Sequence, residues 1–429
     1  MKDIIVILPG KNHDFRISIP AHHLGEILSP PQVNAPVTFE NLLLDALLHP
    51  IGCQPLTELA KPGKKILIIV DDNTRTTPTH RVIPILLAHL AEIGCQPEHI
   101  TFAIALGTHR RMTTTEIEMK LGREVALRFP VINDPAQQAG VFMTAGQFFD
   151  STPLEVHRAV LESDLVIAIG SIVPHTEAGW SGGCKMVLPG MCSERTVMAN
   201  HRLAASALGN TLGQDATPVR QNMEEIVAGI GLDFSLNLVV TPYGQIVGAF
   251  GGHFVAAQRA AVHAARPIFS VPYHNRADVV IANAYPADID FWQASKAIWA
   301  GELLVKPGGT VILHTECPDG IGPHPDFLGF MQRDPARLAS DLANSAIDQT
   351  AVGLALPVAR MLDHMQLVIV SPGLAAEPFG DGPIRRLDSL AEAVEVSLGR
   401  AGRDGRVSVL THGGYTYPVP SEGGQVFGP

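Results

Sequence analysis

The chain has 429 residues, of which 46% are hydrophobic and 17% are charged, and its formal net charge at pH 7 is −11. This composition is typical of a globular protein, and the length favours two domains over one. The acidic balance argues against a general nucleic-acid-binding protein, which needs a basic face, but it allows a locally positive pocket for a small anion.

The cysteines and the apolar runs indicate in which cellular compartment the protein is expected. Five cysteines are scattered along the chain without a C-x-x-C pair: Cys53, Cys95, Cys184, Cys192 and Cys317. This pattern favours a reducing compartment over a disulfide framework or a zinc ribbon. The first apolar run is too short for a signal peptide, and no run approaches the ~20 apolar residues of a membrane helix. We therefore expect a cytoplasmic protein with no membrane or nucleic-acid partner.

Short β-branched apolar runs alternate with helix-like segments along most of the chain. The runs predict strands at Lys65–Val70, Ile100–Leu106, Leu165–Ile169, Val279–Ala282, Thr310–Leu313, Leu367–Val370 and Val407–Leu410. Helices are predicted at Pro78–Ile93, Pro153–Glu162, Glu194–Leu208, Val255–Ala265, Phe291–Ala300, Pro335–Ala346 and Leu390–Gly399. The alternation indicates an α/β fold with mainly parallel sheets, and a turn at Pro242–Gly244 predicts a hairpin within Phe234–Phe254.

A break in this pattern near Ala264–Asn275 predicts two α/β domains, residues 1–268 and 269–429. The tail after residue 411 is rich in Gly and Pro, and it either packs back on the first domain or stays loose.

Polar residues follow the first two central strands. Asp71, Asp72 and Arg75 come after the first, where Thr77 and Pro78 are expected to begin a helix. The group suits an anionic ligand, or else a turn with a surface ion pair. His109 lies in the loop after the second strand, before a capping box at Thr113 or Thr115, and is either an acid/base group or a surface histidine.

The stretch from Ser171 to His201 is the most crowded with chemically useful residues. It contains His175, a Gly-rich turn and Lys185, but its spacing is not that of a P-loop. The glycines are expected to let the backbone approach something closely. Lys185 is a phosphate contact, a covalent attachment point or a solvated side chain. His201 falls on the inward face of a helix capped by Ser193, as a core histidine or as a metal ligand.

Two further residues lie near a helix start in the second half. Gln293 and Lys296 share one face, and Asp288 or Asp290 can cap this helix. A lysine at a helix N-terminus is unfavourable unless an anion binds there, so the pair indicates a carboxylate site or a solvated lysine. The later segment Cys317–His324 is expected to be a structural turn. No zincin, α/β-hydrolase or GxGxxG motif is present.

Taken together, the motifs DDNTRTTP, GTHR, PHTEAGWSGGCKMVLPG, Asn200-His201 and FWQASKA resemble the lactate racemase family of nickel-pincer enzymes. The resemblance spans most of the chain and implies a smaller C-terminal α/β domain with an active-site cleft between the two domains. It also implies nickel and a nickel-pincer nucleotide, a pyridinium-3-thioamide-5-thiocarboxylic acid mononucleotide supplied by cofactor-biosynthesis proteins that act as transient partners.

The resemblance also implies a role for each candidate residue. Lys185 would be the covalent attachment point, His201 the nickel ligand, and His109 and His175 the paired acid/base residues. Arg75, Gln293 and Lys296 would bind the substrate, and Asp72 and the turn Leu188, Pro189 and Gly190 would lie near the cofactor. The glycines of the loop would provide clearance for its planar ring. Trp180 stands where the family is expected to have Phe, which is expected to alter the pocket size.

The implied reaction is racemisation or epimerisation of a 2-hydroxy acid, by hydride transfer to the cofactor through a transient 2-keto acid. Two histidines would be needed because the enantiomers present their hydroxyl groups in different directions. The alternatives are a two-domain lyase or dehydrogenase without the pincer, or a non-catalytic protein that binds hydroxy acids.

Overall fold

In a computed structural model, the described residues are 3–35, 37–148, 151–206, 209–342, 347–379 and 382–421. The strands are β1 (Asp3–Leu8), β2 (Phe15–Pro20), β3 (Leu24–Leu28), β4 (Ile66–Asp71), β5 (Ile100–Ala105), β6 (Val131–Ile132), β7 (Phe142–Gln147), β8 (Pro153–His157), β9 (Leu165–Ser171), β10 (Pro174–His175), β11 (Gly179–Trp180), β12 (Phe234–Val240), β13 (Ile246–Gly252), β14 (Ser270–Tyr273), β15 (Ala277–Asn283), β16 (Val305–His314), β17 (Gln366–Val370), β18 (Ile384–Arg386), β19 (Val407–Leu410) and β20 (Tyr417–Pro420).

The α-helices are α1 (Phe39–Leu48), α2 (Leu56–Leu59), α3 (Thr79–Glu92), α4 (Thr114–Leu121), α5 (Arg123–Arg128), α6 (Arg158–Leu161), α7 (Glu194–His201), α8 (Pro218–Ile230), α9 (Ala256–Phe269), α10 (Phe291–Ala294), α11 (Lys296–Leu304), α12 (Phe327–Met331), α13 (Pro335–Asp341), α14 (Gln349–Met361) and α15 (Leu390–Ala401). Within the described ranges, none of the helices has the length and apolar character needed to cross a membrane.

Two six-stranded sheets form the centres of the two halves of the chain. The first has the order β13-β12-β9-β4-β5-β6, and its neighbours are parallel except in the β12–β13 hairpin. The second, β18-β17-β16-β15-β19-β3, is parallel throughout. Strand β4 is buried along its whole length, as expected where layers cover both faces of a parallel sheet. The predicted α/β class and the predicted hairpin are both confirmed.

The first strands of the chain belong to the sheet of the second half. Strand β3 pairs in parallel with β19. The inward side chains of the β1–β2 hairpin pack with residues of β15, β16, β17 and α15 in one apolar cluster. The structure therefore corrects the predicted boundaries, 1–268 and 269–429, for residues 3–28. A strand's own pattern shows that it has a buried face but not which sheet receives it.

Three local predictions also need correction. The predicted helix Pro153–Glu162 is strand β8 followed by the short helix α6, because Leu154 and Val156 alternate inward and the strand pairs with β7. The predicted helix Phe291–Ala300 is interrupted at Ser295 into α10 and α11. Helix α3 begins at Thr79 and not at the expected Thr77–Pro78 pair, since the Thr77 hydroxyl bonds to Asp71 and to Ser171 instead.

Helix α14 has no counterpart among the predicted helices. Twelve of its residues are buried, so its sequence carries no polar stripe with helical period, and Pro357 lies within it. The predicted helices Glu194–Leu208 and Pro335–Ala346 end earlier, with α7 and α13, and their last predicted residues partly lie outside the described ranges.

The tail contacts the first half of the chain through two tyrosines. The Tyr415 hydroxyl lies 3.4 Å from Thr76 Oγ1, and the Tyr417 ring meets the Trp180 ring edge-on at 5.8 Å. Strand β20 pairs with β14. Residues 422–429 of the predicted tail lie outside the described residues.

Candidate active site

A cleft lies at the carboxyl ends of strands β4, β5 and β9, where loops of the first half face helices of the second. Its first-half lining includes Asp71, Asp72, Arg75, Gly107, Thr108, His109, Ser171, His175, Glu177, Gly182, Lys185, Met186, Pro189, Gly190, Val197 and His201. The second half adds Trp292, Gln293, Lys296 and Leu354. Parallel sheets place ligands at this edge because their strand-end loops converge there.

His109 is held by a buried carboxylate. Its Nδ1 lies 2.6 Å from Asp72 Oδ2, and Asp72 Oδ1 accepts from the backbone N–H and the hydroxyl of Thr74 at 3.2 and 2.6 Å. Burial by itself would raise the pKa of Asp72, but His109 and Arg75 outweigh it and hold this pKa well below its usual range. Asp72 is therefore ionised and accepts the Nδ1 proton of His109, which leaves Nε2 as the reactive nitrogen.

Gln293 connects His109 with two cationic side chains. Its Oε1 accepts from Arg75 Nη1 at 2.8 Å and from Lys296 Nζ at 2.6 Å. This fixes the orientation of the amide, so Gln293 Nε2 donates to His109 Nε2 at 3.1 Å. The donated bond requires a lone pair on His109 Nε2, which agrees with a proton on Nδ1. The Asp290 carboxylate caps helix α10 through the Gln293 N–H at 2.7 Å, as predicted for Asp288 or Asp290.

Arg75 and Lys296 both donate to the same neutral oxygen, Gln293 Oε1, in a poorly exposed part of the cleft. Lys296 has only 6% of its surface exposed, and burial, followed by Arg75 and Lys185, lowers its pKa well below the ordinary lysine value. Two neighbouring cations bound to an amide oxygen can accept a carboxylate from a ligand, because that charge would offset their repulsion and their loss of hydration.

His175 and Lys185 contact each other on the opposite wall. Their Nε2 and Nζ atoms are 3.2 Å apart, and His175 Nδ1 accepts from the backbone N–H groups of Glu177 and Ala178 at 3.3 and 3.4 Å. Burial, with Lys185 and Lys296, lowers the pKa of His175 well below its ordinary value. Burial also lowers the pKa of Lys185 to about 7, against the opposing effect of Glu177. A free amine on Lys185, able to act as a nucleophile, is therefore accessible at neutral pH.

His201 presents one ring nitrogen to the cleft. Its Nδ1 is 2.9 Å from the Val197 carbonyl oxygen, so Nδ1 donates and Nε2 faces Glu177 Oε2 at 3.2 Å. The second carboxylate oxygen of Glu177 is buried and has no hydrogen-bond partner among the residues that the structure describes. The predicted inward position of His201 and the predicted Ser193 cap are both confirmed.

The glycines of the loop serve backbone packing. A Cβ atom on Gly182 would lie 2.7 Å from Asn237 Oδ1, and one on Gly190 would lie 2.6 Å from the Cβ of Ala105. These neighbours are protein atoms, so the glycines are required by close contacts within the chain. The prediction that they provide clearance for a planar ring is therefore corrected.

The other expectations about the loops have mixed outcomes. Pro189 and Gly190 line the cleft, whereas Leu188 is fully buried in the core of the first half. Trp180 does not line the cleft; it is buried against Phe269 and Tyr417, so its expected direct effect on pocket size is wrong. Cys184 is a buried residue beside Arg220 Nη1 at 3.0 Å.

Several residues that line the cleft were not predicted as site residues: Thr108, Glu177, Met186, Val197, Trp292 and Leu354. Glu177 belongs to the crowded stretch, and its nearness to His175 was the available signal. Leu354 lies on α14, whose sequence resembles that of any buried segment, so no signal identified it.

Comparisons with known proteins agree with this organisation. One family model, the lactate racemase N-terminal domain, matches residues 10–213, and the lactate racemase C-terminal domain matches residues 273–415. The chain is 29% identical over 381 residues to a lactate racemase from Thermoanaerobacterium thermosaccharolyticum, covering 87% of this chain and 89% of the relative. It is also 29% identical over 394 residues to one from Lactiplantibacillus plantarum, with coverages of 89% and 92%.

Two solved structures have the same fold. The lactate racemase apoprotein from Thermoanaerobacterium thermosaccharolyticum aligns with a TM-score of 0.84 and 26% identity, over 98% of this chain and all of that one. A Thermotoga maritima protein aligns with a TM-score of 0.71 over 90% of this chain and 99% of that one, and at 19% identity it supports the fold alone.

Proposed function

Because this chain belongs to the lactate racemase family, we propose that it is a nickel-pincer-dependent racemase or epimerase of a 2-hydroxy acid. The observation that carries the proposal is the meeting in one cleft of the imidazoles of His109 and His175, a buried lysine and a pair of cations. Lactate, which the relatives' names specify, is the first substrate to test.

The carboxylate of the substrate would bind to Arg75 and Lys296. Both cations contact Gln293 Oε1, so an incoming carboxylate would give them an anionic partner in place of an amide oxygen. Charge-assisted hydrogen bonds of this kind are about twice as strong as neutral ones. Gln293 also contacts His109 Nε2, which would place the Cα hydroxyl group of the bound acid near that nitrogen.

His109 would remove the hydroxyl proton of one enantiomer. Asp72 holds its Nδ1 proton, so the lone pair on Nε2 can accept a proton while the ionised carboxylate stabilises the resulting imidazolium. His175 would serve the other enantiomer. The low pKa of His175 favours a neutral ring. Because Nδ1 accepts from two backbone N–H groups, that neutral ring carries its proton on Nε2, and the proton would have to move to Nδ1 before Nε2 could act as a base.

The residues present fit a nickel-pincer nucleotide. Within the described residues, no group of three or more His, Cys, Asp or Glu side chains could hold a metal by themselves, so a metal at His201 Nε2 needs further donors from a small molecule. Lys185 offers the nucleophilic amine for a covalent link, and Asp72, Pro189 and Gly190 lie in the same cleft. When bound, the cofactor would supply an acceptor for the hydride from Cα, so that no carbanion is required.

The test is chiral analysis of lactate, malate, phenyllactate and sugar acids with protein coexpressed with the cofactor-making enzymes. We expect racemisation or epimerisation of at least one acid, nickel in the preparation, and a mass adduct on Lys185. The Lys185→Ala variant should lose both the adduct and the activity.

Three results would contradict the proposal. An active, nickel-containing preparation with unmodified Lys185 would refute the covalent link. Net oxidation without exchange at Cα would indicate a dehydrogenase, and binding without turnover by the loaded protein would indicate a binding protein.

A further inference from the structure

The turn from Cys317 to His324 holds the start of helix α10. The carbonyl oxygens of Gly320 and Ile321 accept from the backbone N–H groups of Phe291 and Trp292 at 2.9 and 3.1 Å. These N–H groups have no partner within the helix itself, so the turn satisfies them. The following residue is Gln293, whose side chain contacts Arg75, Lys296 and His109. The segment expected to be a plain structural turn therefore supports a residue of the cleft.

The same turn contacts the residues on both sides of His109. His324 Nε2 lies 3.0 Å from Thr108 Oγ1, and Asp319 Oδ2 accepts from Arg110 Nη2 at 2.8 Å. The Arg110–Asp319 pair is exposed, with 49% and 36% of the two side chains accessible, and pairs of this kind contribute little. His324 has only 2% of its surface exposed, so its contact with Thr108 is the significant one.

His324 is itself fixed from a third direction. Its Nδ1 lies 2.6 Å from Asp348 Oδ2, and its ring centroid is 4.3 Å from that of Trp292. Asp348 also caps helix α14 through the Ala351 N–H at 3.0 Å, and α14 packs against α7, which carries His201. Its two ring nitrogens thus have separate partners, with Nδ1 on the Asp348 carboxylate and Nε2 on the Thr108 hydroxyl.

We propose that His324 is a positioning residue that holds the His109 loop of the first half against the Gln293 helix of the second half. His324 contacts Thr108 and Trp292, which directly precede His109 and Gln293 in the sequence. The side chains of His109 and Gln293 meet each other in the cleft at 3.1 Å. The series of hydrogen bonds from Asp348 through His324 to Thr108 thus sets the position of His109, the proposed base, relative to the proposed carboxylate site at Arg75 and Lys296. The catalytic meaning of this inference rests on the proposed function.

The first experiment is a double-mutant cycle in the cofactor-loaded enzyme. His324→Phe keeps a ring against Trp292 but removes both hydrogen bonds, and Thr108→Val keeps the shape of the side chain but removes its hydroxyl. We expect each to lower kcat/KM about 10- to 100-fold, because a displacement near 1 Å in a reacting group costs this much. The double variant should have a kcat/KM no lower than that of the less active single variant, because both changes remove the same interaction. Thr108→Ser keeps the hydroxyl and should keep most of the activity.

The second experiment needs no activity and so separates this inference from the proposed function. Amide hydrogen exchange of residues 106–110 is measured in the cofactor-free protein, and we expect it to speed up in His324→Phe and in Thr108→Val. His89→Phe is the matched control, since His89 is buried in helix α3 outside the cleft. Additive losses in the cycle, or exchange unchanged from wild type in Thr108→Val, would overturn the proposal. Absence of turnover by the wild-type enzyme would refute only the proposed function.

Discussion

Replacing Asp72 with Asn tests the orientation of His109, the proposed general base. The two oxygens of Asp72 face different partners: Oδ1 accepts from Thr74 N and Thr74 Oγ1, and Oδ2 accepts from His109 Nδ1. The Thr74 N–H can only donate, so the oxygen of the new side-chain amide, and not its NH₂ group, must face Thr74. Its NH₂ group then faces His109 Nδ1, and the imidazole must carry its proton on Nε2.

A proton on Nε2 blocks that nitrogen as a base. General-base catalysis contributes about 10²- to 10⁴-fold, and a buried Asp–His pair in which the amide imposes the wrong tautomer loses about 10⁴-fold. We therefore expect kcat/KM of Asp72→Asn to fall about 10³- to 10⁴-fold, which corresponds to about 4 to 5 kcal/mol in the activation free energy. Two enantiomers have equal free energies in solution, so kcat/KM must fall by the same factor in both directions.

The assay is chiral chromatography of initial rates from each enantiomer, joined to ¹⁵N NMR of the His109 ring in the cofactor-free protein. Asp134→Asn is the matched control, because Asp134 also contacts a histidine, His157, at 3.3 Å but lies outside the cleft. Activity of Asp72→Asn within about threefold of wild type, with the His109 proton still on Nδ1, would refute the reasoning.

Four further predictions concern Lys185, Lys296 and the proposed metal ligand, His201. Because the pKa of Lys185 is lowered to about 7, its acylation by a small amine-reactive ester in the cofactor-free protein should rise as the pH passes 7; mass spectrometry showing the rise only near pH 10 would contradict this. Lys296→Met should weaken hydroxy-acid binding about 10- to 100-fold by calorimetry, as expected for a lost charged hydrogen bond. Because the pKa of Lys296 is lowered in the folded state, the unfolded chain keeps this proton up to a higher pH than the folded chain does. The same variant should therefore also reduce the gain in unfolding free energy as the pH rises towards the ordinary lysine pKa. His201→Ala should keep the Lys185 adduct but lose nickel by elemental analysis, and full nickel retention would exclude His201 as the ligand.

The local sequence determined the strands and most of the residues that reach the cleft. Apolar runs such as β4 are buried throughout, and parallel strands bring their carboxyl ends to one edge, so the loops with Arg75, His109 and His175 had to converge. The caps at Ser193 and Asp290 followed from hydrogen-bonding groups within three residues. These features depend on neighbours in the chain, which a sequence displays directly.

Only the tertiary structure decided which distant groups meet. The sequence does not reveal that β3 joins the second sheet, that α14 brings Leu354 to the cleft, or that Trp180 packs away from it. It also could not show that His324 spans from Asp348 to Thr108, because partners 24 and 216 positions apart leave no local pattern. Periodicity records that a side chain is buried, whereas the identity of its partner is set by how whole layers pack.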